Sequence, residues 1–301
     1  MRMSAEKKPD KSLDHQPAEV EIKNPELART FQRLQETIEQ RESATVYQLE
    51  MWPDRQMGVP NEISRSALFA AILARGRTYV DNQPIASQQG FQINYTGQRL
   101  DQDHLDIFEG IMHFARGVHE GNKIQFTAHR ILKLIGRHTG GNQHKWLFRR
   151  LQHLTATSIA IIKDGQRVFW GSLLPTGAAR LDTGEYSVEI SRDLIKLFGR
   201  GFTRVEWKQR RELICKPLAQ WLQMYYMSHA QPHPVTVKFL RDTSGSATQS
   251  LRKFRQNLKA ALDGIKDVGV ILTWRIDPET GLVHVTRAPF TPQLPAPENS
   301  Q

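Results

Sequence analysis

Apolar residues recur along this chain at two spacings, one typical of helices and the other of strands. From 101 to 117 they lie three and four positions apart, which predicts an amphipathic helix with Asp101 as its N-cap. From 158 to 163 and from 168 to 174 they form two strand-like runs, and Asp164-Gly165 between them is typical of a β-hairpin turn. Strands at 91–95, 124–127 and 186–190 and a helix at 192–198 complete a first predicted unit, from about residue 61 to 205.

A similar order of elements follows in a second predicted unit, from about residue 206 to 288. In both units a helix-turn-helix precedes a β-hairpin, which is the order of a winged helix. The pattern therefore predicts an α+β fold with two tandem winged-helix domains. The second unit is predicted to contain a helix at 218–228, a short strand at 235–239, a loop at 242–245, a long helix at 247–266 and strands at 268–276 and 282–287.

The two ends of the chain have different compositions from these units. Residues 1–24 are charged and almost without large apolar side chains, which predicts disorder. Between 24 and 41 apolar residues recur at helical spacing, and this predicted helix packs either on its own domain or on a partner. We therefore expect a flexible N-terminal segment over 1–60 and a flexible, proline-containing tail over 289–301.

Charge adds a functional prediction between Glu120 and Asp164. This window has eight lysine and arginine residues and no acidic residue, and the whole chain has a net charge of +10. A long window of one sign requires a counter-charge, and nucleic acid is a common polyanion. The window therefore predicts DNA binding, and the alternative is a basic surface that serves solubility.

Two predicted helices place polar and basic residues opposite an apolar face, as a helix in the major groove requires. The first spans 143–155, with Asn142 as its predicted N-cap, and the second spans 247–266. The hairpin tips at 164–167 and 277–281 would be the wings. For each helix, a solvated basic face is the alternative. The predicted DNA contacts are Lys145, Arg149, Arg150 and His153 on the first helix, Lys163 and Arg167 on the first wing, and Thr248, Arg252, Arg255 and Lys259 on the second helix.

The sequence shows no pattern typical of an enzyme, a metal site or a membrane protein. Residues 136–141 have the glycine spacing of a phosphate-binding loop, but Asn142 and Gln143 replace the lysine and the hydroxyl residue that such a loop needs. The lone Cys215 excludes a disulfide framework within one chain and fits a reducing compartment. No apolar run approaches the roughly 20 residues that span a bilayer. We therefore predict a cytoplasmic, non-enzymatic protein without metal or cofactor.

A short segment, Gln48-Leu49-Glu50-Met51-Trp52, follows the predicted N-terminal helix. Glutamine followed by spaced apolar residues is typical of a peptide that inserts side chains into a preformed groove. The alternative is a tether that packs on the first domain.

Several blocks of this sequence resemble the TrfA family of plasmid replication initiators. They are Gln48–Trp52 running into Pro53-Asp54, then Ser64–Phe69, then Asn94–Gly97, in the order of the family. Arg149–Gln152 followed by Ala156 also resembles the first recognition helix of that family. The resemblance covers about residues 45 to 287.

The resemblance implies tandem winged helices that bind direct repeats (iterons) at a plasmid origin and promote melting of neighbouring DNA. It also implies recruitment of the host helicase and the β sliding clamp, and an equilibrium between active monomers and inactive dimers. The clamp motif of the family, Gln-Leu-Ser-Leu-Phe, implies clamp contacts by Gln48, Leu49, Met51 and Trp52, where Met51 and Trp52 replace leucine and phenylalanine. Single-stranded DNA binding stays open, and a winged-helix transcription repressor with the same DNA contacts is the alternative.

Overall fold

The computed structural model describes residues 51–88, 90–118, 123–180 and 182–289, together with Arg33 and Leu49. The chain divides into two units, Met1–Val46 and Tyr47–Gln301, and the architecture described here belongs to the second. The predicted helix at 24–41 lies outside the described residues except for Arg33, which is helical. Gln48 and the tail after Pro289 also lie outside them.

The unit Tyr47–Gln301 mixes helices with mostly antiparallel strands, which confirms the predicted α+β class. Its helices are α1 (Asn61–Ser64), α2 (Gln102–Ala115), α3 (Ala128–Leu134), α4 (Gly141–Thr155), α5 (Arg192–Gly199), α6 (Trp207–Glu212), α7 (Pro217–Met227), α8 (Val237–Thr243) and α9 (Leu251–Asp267). Its strands are β1 (Gln56–Pro60), β2 (Phe69–Ala70), β3 (Tyr79–Ile85), β4 (Gln92–Gln98), β5 (Leu100–Asp101), β6 (Ile124–Thr127), β7 (Ser158–Lys163), β8 (Gln166–Gly171), β9 (Thr176–Arg180), β10 (Glu185–Glu189), β11 (Phe202–Glu206), β12 (Val235–Thr236), β13 (Ile271–Ile276) and β14 (Leu282–Arg287).

A large first core surrounds helix α2. Asp101 caps this helix through a capping box with His104, as predicted. The helix is buried on nearly every side, because α3, α4 and several short strands pack around it. A four-stranded sheet in the order β3-β4-β7-β8 turns the alternating residues Ile93, Tyr95 and Ile159 toward this core.

A second, smaller core lies between α7, α8, α9 and the β13–β14 hairpin. Its centre contains Phe254, Leu258 and Leu262, which recur at helical spacing along α9 and are fully buried. Strand β12 pairs with β14, so the short strand before α8 joins the hairpin sheet.

A buried polar network joins the two cores. Arg210 on α6 donates from Nε to Oδ1 of Asp106 on α2 at 2.6 Å and from Nη1 to the carbonyl of Gln220 on α7 at 2.7 Å. A buried arginine that donates to acceptors on two elements fixes their relative position, since breaking the pair leaves an uncompensated charge. The boundary predicted between the two winged-helix domains, at 205/206, falls within β11, close to this network. It stays a prediction.

Several predicted elements differ from the structure. Residues 56–60 are not flexible, because they form β1 and pair along their whole length with β11. The strand predicted at 235–239 ends at Thr236, whose side chain accepts from the amide of Phe239 and so starts helix α8. The helix predicted from residue 247 begins at Leu251, because Ser250 caps it.

Candidate nucleic-acid interface

Helix α4 presents a polar face to solvent and an apolar face to the first core. Leu147, Leu151 and Leu154 are buried on its inner side. Lys145 and Arg149 are exposed, and neither has an ion-pair partner among the described residues. Their side chains are therefore available to a polyanion.

Two further polar residues share this exposed face. The N-cap of α4 is Gly140, so the prediction that Asn142 caps the helix is wrong. Asn142 lies exposed in the first turn, and Gln152 is exposed further along the helix. Positions 142, 145, 149 and 152 follow one stripe, a helical spacing that would have identified both amides from the sequence.

Arg150 does not belong to this exposed face, and its role as a DNA contact stays a prediction. It is 6% exposed, because position 150 turns toward the inner flank of the helix. Its Nη2 lies 3.5 Å from Oδ2 of Asp103, and its guanidinium lies 5.1 Å from the centre of the Trp146 ring. Arg137 shares the same carboxylate, with Nη2 2.5 Å from Oδ1. Asp103 on α2 thus supplies a counter-charge to two arginines of the basic window.

His153 is also turned inward, and its role as a DNA contact stays a prediction. Its Nδ1 lies 3.1 Å from Nε2 of His104 and 3.3 Å from Nη1 of Arg77. Burial, followed by His104, Arg77 and Arg150, lowers the pKa of His153 to about 4. The ring is therefore neutral near pH 7 and supports α4 instead of providing a positive charge.

The β7–β8 hairpin follows α4, as predicted. Asp164 and Gly165 both have positive φ, 51° and 75°, which suits the two-residue turn between strands of right-handed twist. Lys163 is half-buried and Arg167 is exposed at this tip. The guanidinium of Arg167 lies 5.8 Å from the centre of the ring of Trp170, which is 69% exposed. The hairpin thus presents two basic residues and one aromatic ring to solvent.

Helix α9 presents a second polar face. Arg252 and Lys259 are exposed on it together with Gln256, which the sequence prediction omitted. Thr248 precedes the helix, so it lies in the loop and not on the predicted helical stripe. Leu251 is 42% exposed in the first turn.

Arg255 ties α9 to the tip of the second hairpin. Its Nη2 donates to the carbonyl of Asp277 at 3.2 Å, and the side chain is half-buried. The Asp277 carboxylate in turn accepts from the amides of Glu279 and Thr280 at 2.9 and 2.8 Å. Backbone hydrogen bonding from Thr280, the strongest influence, lowers the pKa of Asp277. Arg255 thus positions the hairpin, and base contact by this residue stays a prediction.

The segment that contains the predicted clamp peptide packs on the first core. Leu49 and Trp52 are 3% and 2% exposed, and the Trp52 ring stacks on Phe198 with 5.9 Å between centres. Arg116 also donates to the Trp52 carbonyl. Met51 is 69% exposed. Leu49 and Trp52 thus pack as the alternative of a tether on the first domain describes.

The part of the chain that the structure describes contains no cluster of three or more histidine, cysteine or acidic residues arranged to hold a metal ion. Within the same residues, no helix combines the length and the apolar composition needed to cross a membrane.

Sequence comparison identifies relatives of the chain. A family model described as TrfA protein matches residues 19–287. The plasmid replication initiator protein TrfA of Escherichia coli is 25% identical over 236 residues, which cover 75% of this chain and 61% of that protein. The chain thus spans about three fifths of the length of this curated relative.

Two solved structures share the fold. Domains 2 and 3 of RctB superpose with a TM-score of 0.54 at 12% identity, covering 76% of this chain and 98% of that chain. The Pi initiator protein in complex with iteron DNA superposes with a TM-score of 0.51 at 13% identity, covering 78% of this chain and 99% of that chain. At these identities the likeness shows a common fold alone.

Proposed function

Because this chain belongs to the TrfA family, we propose that it initiates plasmid replication by binding direct repeats at an origin. The E. coli relative bears the name of a plasmid replication initiator, and the Pi initiator has been solved with iteron DNA. The proposed action is binding and assembly without catalysis by this chain. One structural observation supports the proposal most directly: two helices, α4 and α9, each expose a basic and amide-bearing face.

Each of these helices belongs to a helix-turn-helix followed by a hairpin, and we assign both groups as winged helices. The first consists of α3, α4 and the β7–β8 hairpin, and the second of α8, α9 and the β13–β14 hairpin. Such a module places its second helix in the major groove, while the hairpin contacts flanking DNA. Two modules in one compact unit would then read two successive major grooves of one repeat.

The proposed contacts follow from exposure and side-chain chemistry. Arginine binds guanine O6 and N7 through two hydrogen bonds, whereas asparagine and glutamine pair in the same way with adenine. Lysine more often contacts phosphate. The proposed set is Asn142, Lys145, Arg149 and Gln152 on α4, Lys163 and Arg167 on the first hairpin, Thr248 before α9, and Arg252, Arg255, Gln256 and Lys259 on α9.

The test is a titration against the direct repeats near this gene, with scrambled DNA as competitor and at two salt concentrations. We expect tight binding to the repeats that weakens as salt rises, since phosphate neutralisation releases counterions. Arg149→Ala and Arg252→Ala should each weaken binding to the repeat, whereas Lys208→Ala, an exposed position on α6, should not. Equal binding to repeat and scrambled DNA would contradict the proposal.

The same DNA contacts would serve a transcription repressor, so replication itself needs a separate test. A plasmid that carries the origin and this gene should fail to replicate when Arg149→Ala and Arg252→Ala are combined. Replication that continues without the gene would leave the repressor as the remaining function.

We further propose that the protein recruits the host helicase and the β sliding clamp, with Gln48, Leu49, Met51 and Trp52 as the clamp contacts. Since Leu49 and Trp52 are buried in the first core, clamp binding requires this segment to leave its position. Double alanine substitution of these two residues would damage the core as well. Met51→Ala is the cleaner variant, because the side chain is exposed.

We expect Met51→Ala to weaken binding to purified clamp while repeat binding and the free energy of unfolding stay unchanged. Leu73→Ala, a change at another exposed apolar position, is the control. Full clamp binding by both Met51→Ala and Gln48→Ala would refute the assignment of this segment.

A further inference from the structure

A groove of about 590 Å³ lies beside the short 3-10 turn Ala74–Gly76. One wall is this turn, a second is the start of α7, and a third is formed by Asn257 and Ala260 of α9 with Thr248 before it. Among the residues that the structure describes, no acidic one lines the groove. None of the proposed contacts on α4 and the first hairpin lines it, and of the proposed contacts near α9 Thr248 does.

The groove lies between the two helices that are proposed to read DNA. Arg77 directly follows the turn, and its Nη1 lies 3.3 Å from His153 on α4. On the other side the turn approaches the loop before α9, since a Cβ on Gly76 would lie 3.9 Å from that of Ala247. The amide of Ala71 also donates to the carbonyl of Ser244 in the segment after α8 at 2.7 Å. These contacts place the groove on the path from α4 to α9.

The chemistry of the groove matches a sugar–phosphate backbone. Arg75 and Lys216 stand exposed on its rim, and neither has an ion-pair partner among the described residues. Thr248 and Asn257 add a hydroxyl and an amide, whereas the floor is apolar and includes Ala219. Cations and neutral donors bind phosphate oxygens, and an apolar floor accommodates deoxyribose.

We propose that this groove binds the DNA backbone between the two major-groove segments of a repeat, with Arg75 and Lys216 each neutralising one phosphate. This inference rests on the proposed function, because a duplex read by both α4 and α9 must pass between them. These contacts would carry no base specificity. They would fix the register of the second helix once the first is bound.

The test is the salt dependence of binding to the repeat duplex by Arg75→Ala, Lys216→Ala and the double variant. The slope of log K against log salt is negative, and each lost phosphate contact reduces its magnitude by about 0.9. The magnitude of the slope should therefore be smaller by about 2 in the double variant. The preference for repeat over scrambled DNA should change little. Arg75→Lys should restore the slope, because it keeps the charge, and Lys208→Ala is the matched control on another surface.

Ethylation interference provides a second measurement. Ethylation of phosphates between the two major-groove segments should reduce binding by the wild type. The same ethylation should have no effect on binding by the double variant. If an alanine variant fails to fold, Arg75→Gln and Lys216→Gln remove the charge and keep most of the side chain.

The failures of the two proposals are distinguishable. A wild-type protein that ignores the repeat sequence contradicts the proposed function. Specific binding with an unchanged slope and interference pattern in the double variant overturns only the inference about the groove. If the double variant keeps its slope but loses affinity for an acidic peptide, the groove is a peptide site and the inference is also wrong.

Discussion

Helix α4 rests on buried leucines and, beside them, on charged and polar side chains, whereas the buried face of helix α9 is apolar. Behind α4, Asp103 binds Arg137 and Arg150, and His104 contacts His153. Behind α9, phenylalanine, leucine and isoleucine side chains are buried at helical spacing. Two helices with a similar exposed face are therefore supported by different interactions.

The difference shows why a basic residue in the sequence is not by itself a DNA contact. The acid-free window from 121 to 163 suggested a missing counter-charge, but Asp103 on α2 supplies one to Arg137 and Arg150. Arg149 has no such partner among the described residues. On α9, Arg252 and Lys259 are exposed, and Arg255 donates to the carbonyl of Asp277. A basic residue that is buried and ion-paired, such as Arg150, is thus a weaker candidate than one that is exposed and has no ion-pair partner among the described residues.

Asp103→Ala should produce the largest effect in this comparison. It leaves the guanidiniums of Arg137 and Arg150 without their carboxylate, and Arg150 is buried. We expect the free energy of unfolding to fall by about 2–4 kcal/mol in urea denaturation. Asp263→Ala on α9, which removes an exposed bond to Trp274, should cost less than about 1 kcal/mol. Equal losses for the two variants would remove the distinction between the helices.

The neighbours Arg149 and Arg150 should separate affinity from stability. Arg149→Ala should weaken repeat binding by about 1–3 kcal/mol if it pairs with guanine, and leave unfolding within about 0.5 kcal/mol of wild type. Arg150→Ala should lower the free energy of unfolding by about 1–3 kcal/mol, because the Asp103 and Trp146 contacts are lost. DNA titrations of both variants measure the affinity, and urea denaturation measures the free energy of unfolding. The reverse pattern would mean that Arg150 leaves its buried position on DNA.

Arg255→Ala should have a smaller effect, shared between stability and binding. The lost hydrogen bond to the Asp277 carbonyl should cost about 1 kcal/mol of unfolding free energy. The matched variant Arg252→Ala should leave unfolding unchanged and weaken DNA binding alone. If Arg255→Ala changes neither quantity, the contact between α9 and the hairpin does not position the wing.

Local patterns predicted much of the fold from the sequence. The cap at Asp101, the Asp164-Gly165 turn and the apolar stripe of α9 each depend on a few neighbouring residues, and the structure confirms them. Strand β1 was missed because its partner, β11, lies about 150 residues away in the sequence. The strand predicted at 235–239 was wrong for a local reason. The hydroxyl of Thr236 caps α8, so the alternating apolar residues that follow it belong to a helix.

The candidate site was harder to predict, because exposure depends on neighbours distant in sequence. One position on a helix separates Arg149 from Arg150, but that step turns the side chain from solvent toward α2. Nothing within the basic window identifies Asp103 as the partner of Arg150. Asn142 and Gln152, in contrast, follow the helical spacing of Lys145 and Arg149, so periodicity alone would have placed them on the same face.

The smallest predicted effect is a pH dependence that belongs to α4 and not to α9, whose 17 residues include no histidine. Burial first, and then His104 and the nearby arginines, lower the pKa of His153 from 6.5 to about 4. Between these values the unfolded chain binds a proton at this residue that the folded protein does not. The free energy of unfolding should therefore fall as pH drops from 6.5 toward 4. His153→Gln should reduce this fall in urea denaturation without abolishing it, since burial also lowers the pKa of His104, His113 and His229. An unchanged fall in His153→Gln would show that the ring is not held neutral behind α4.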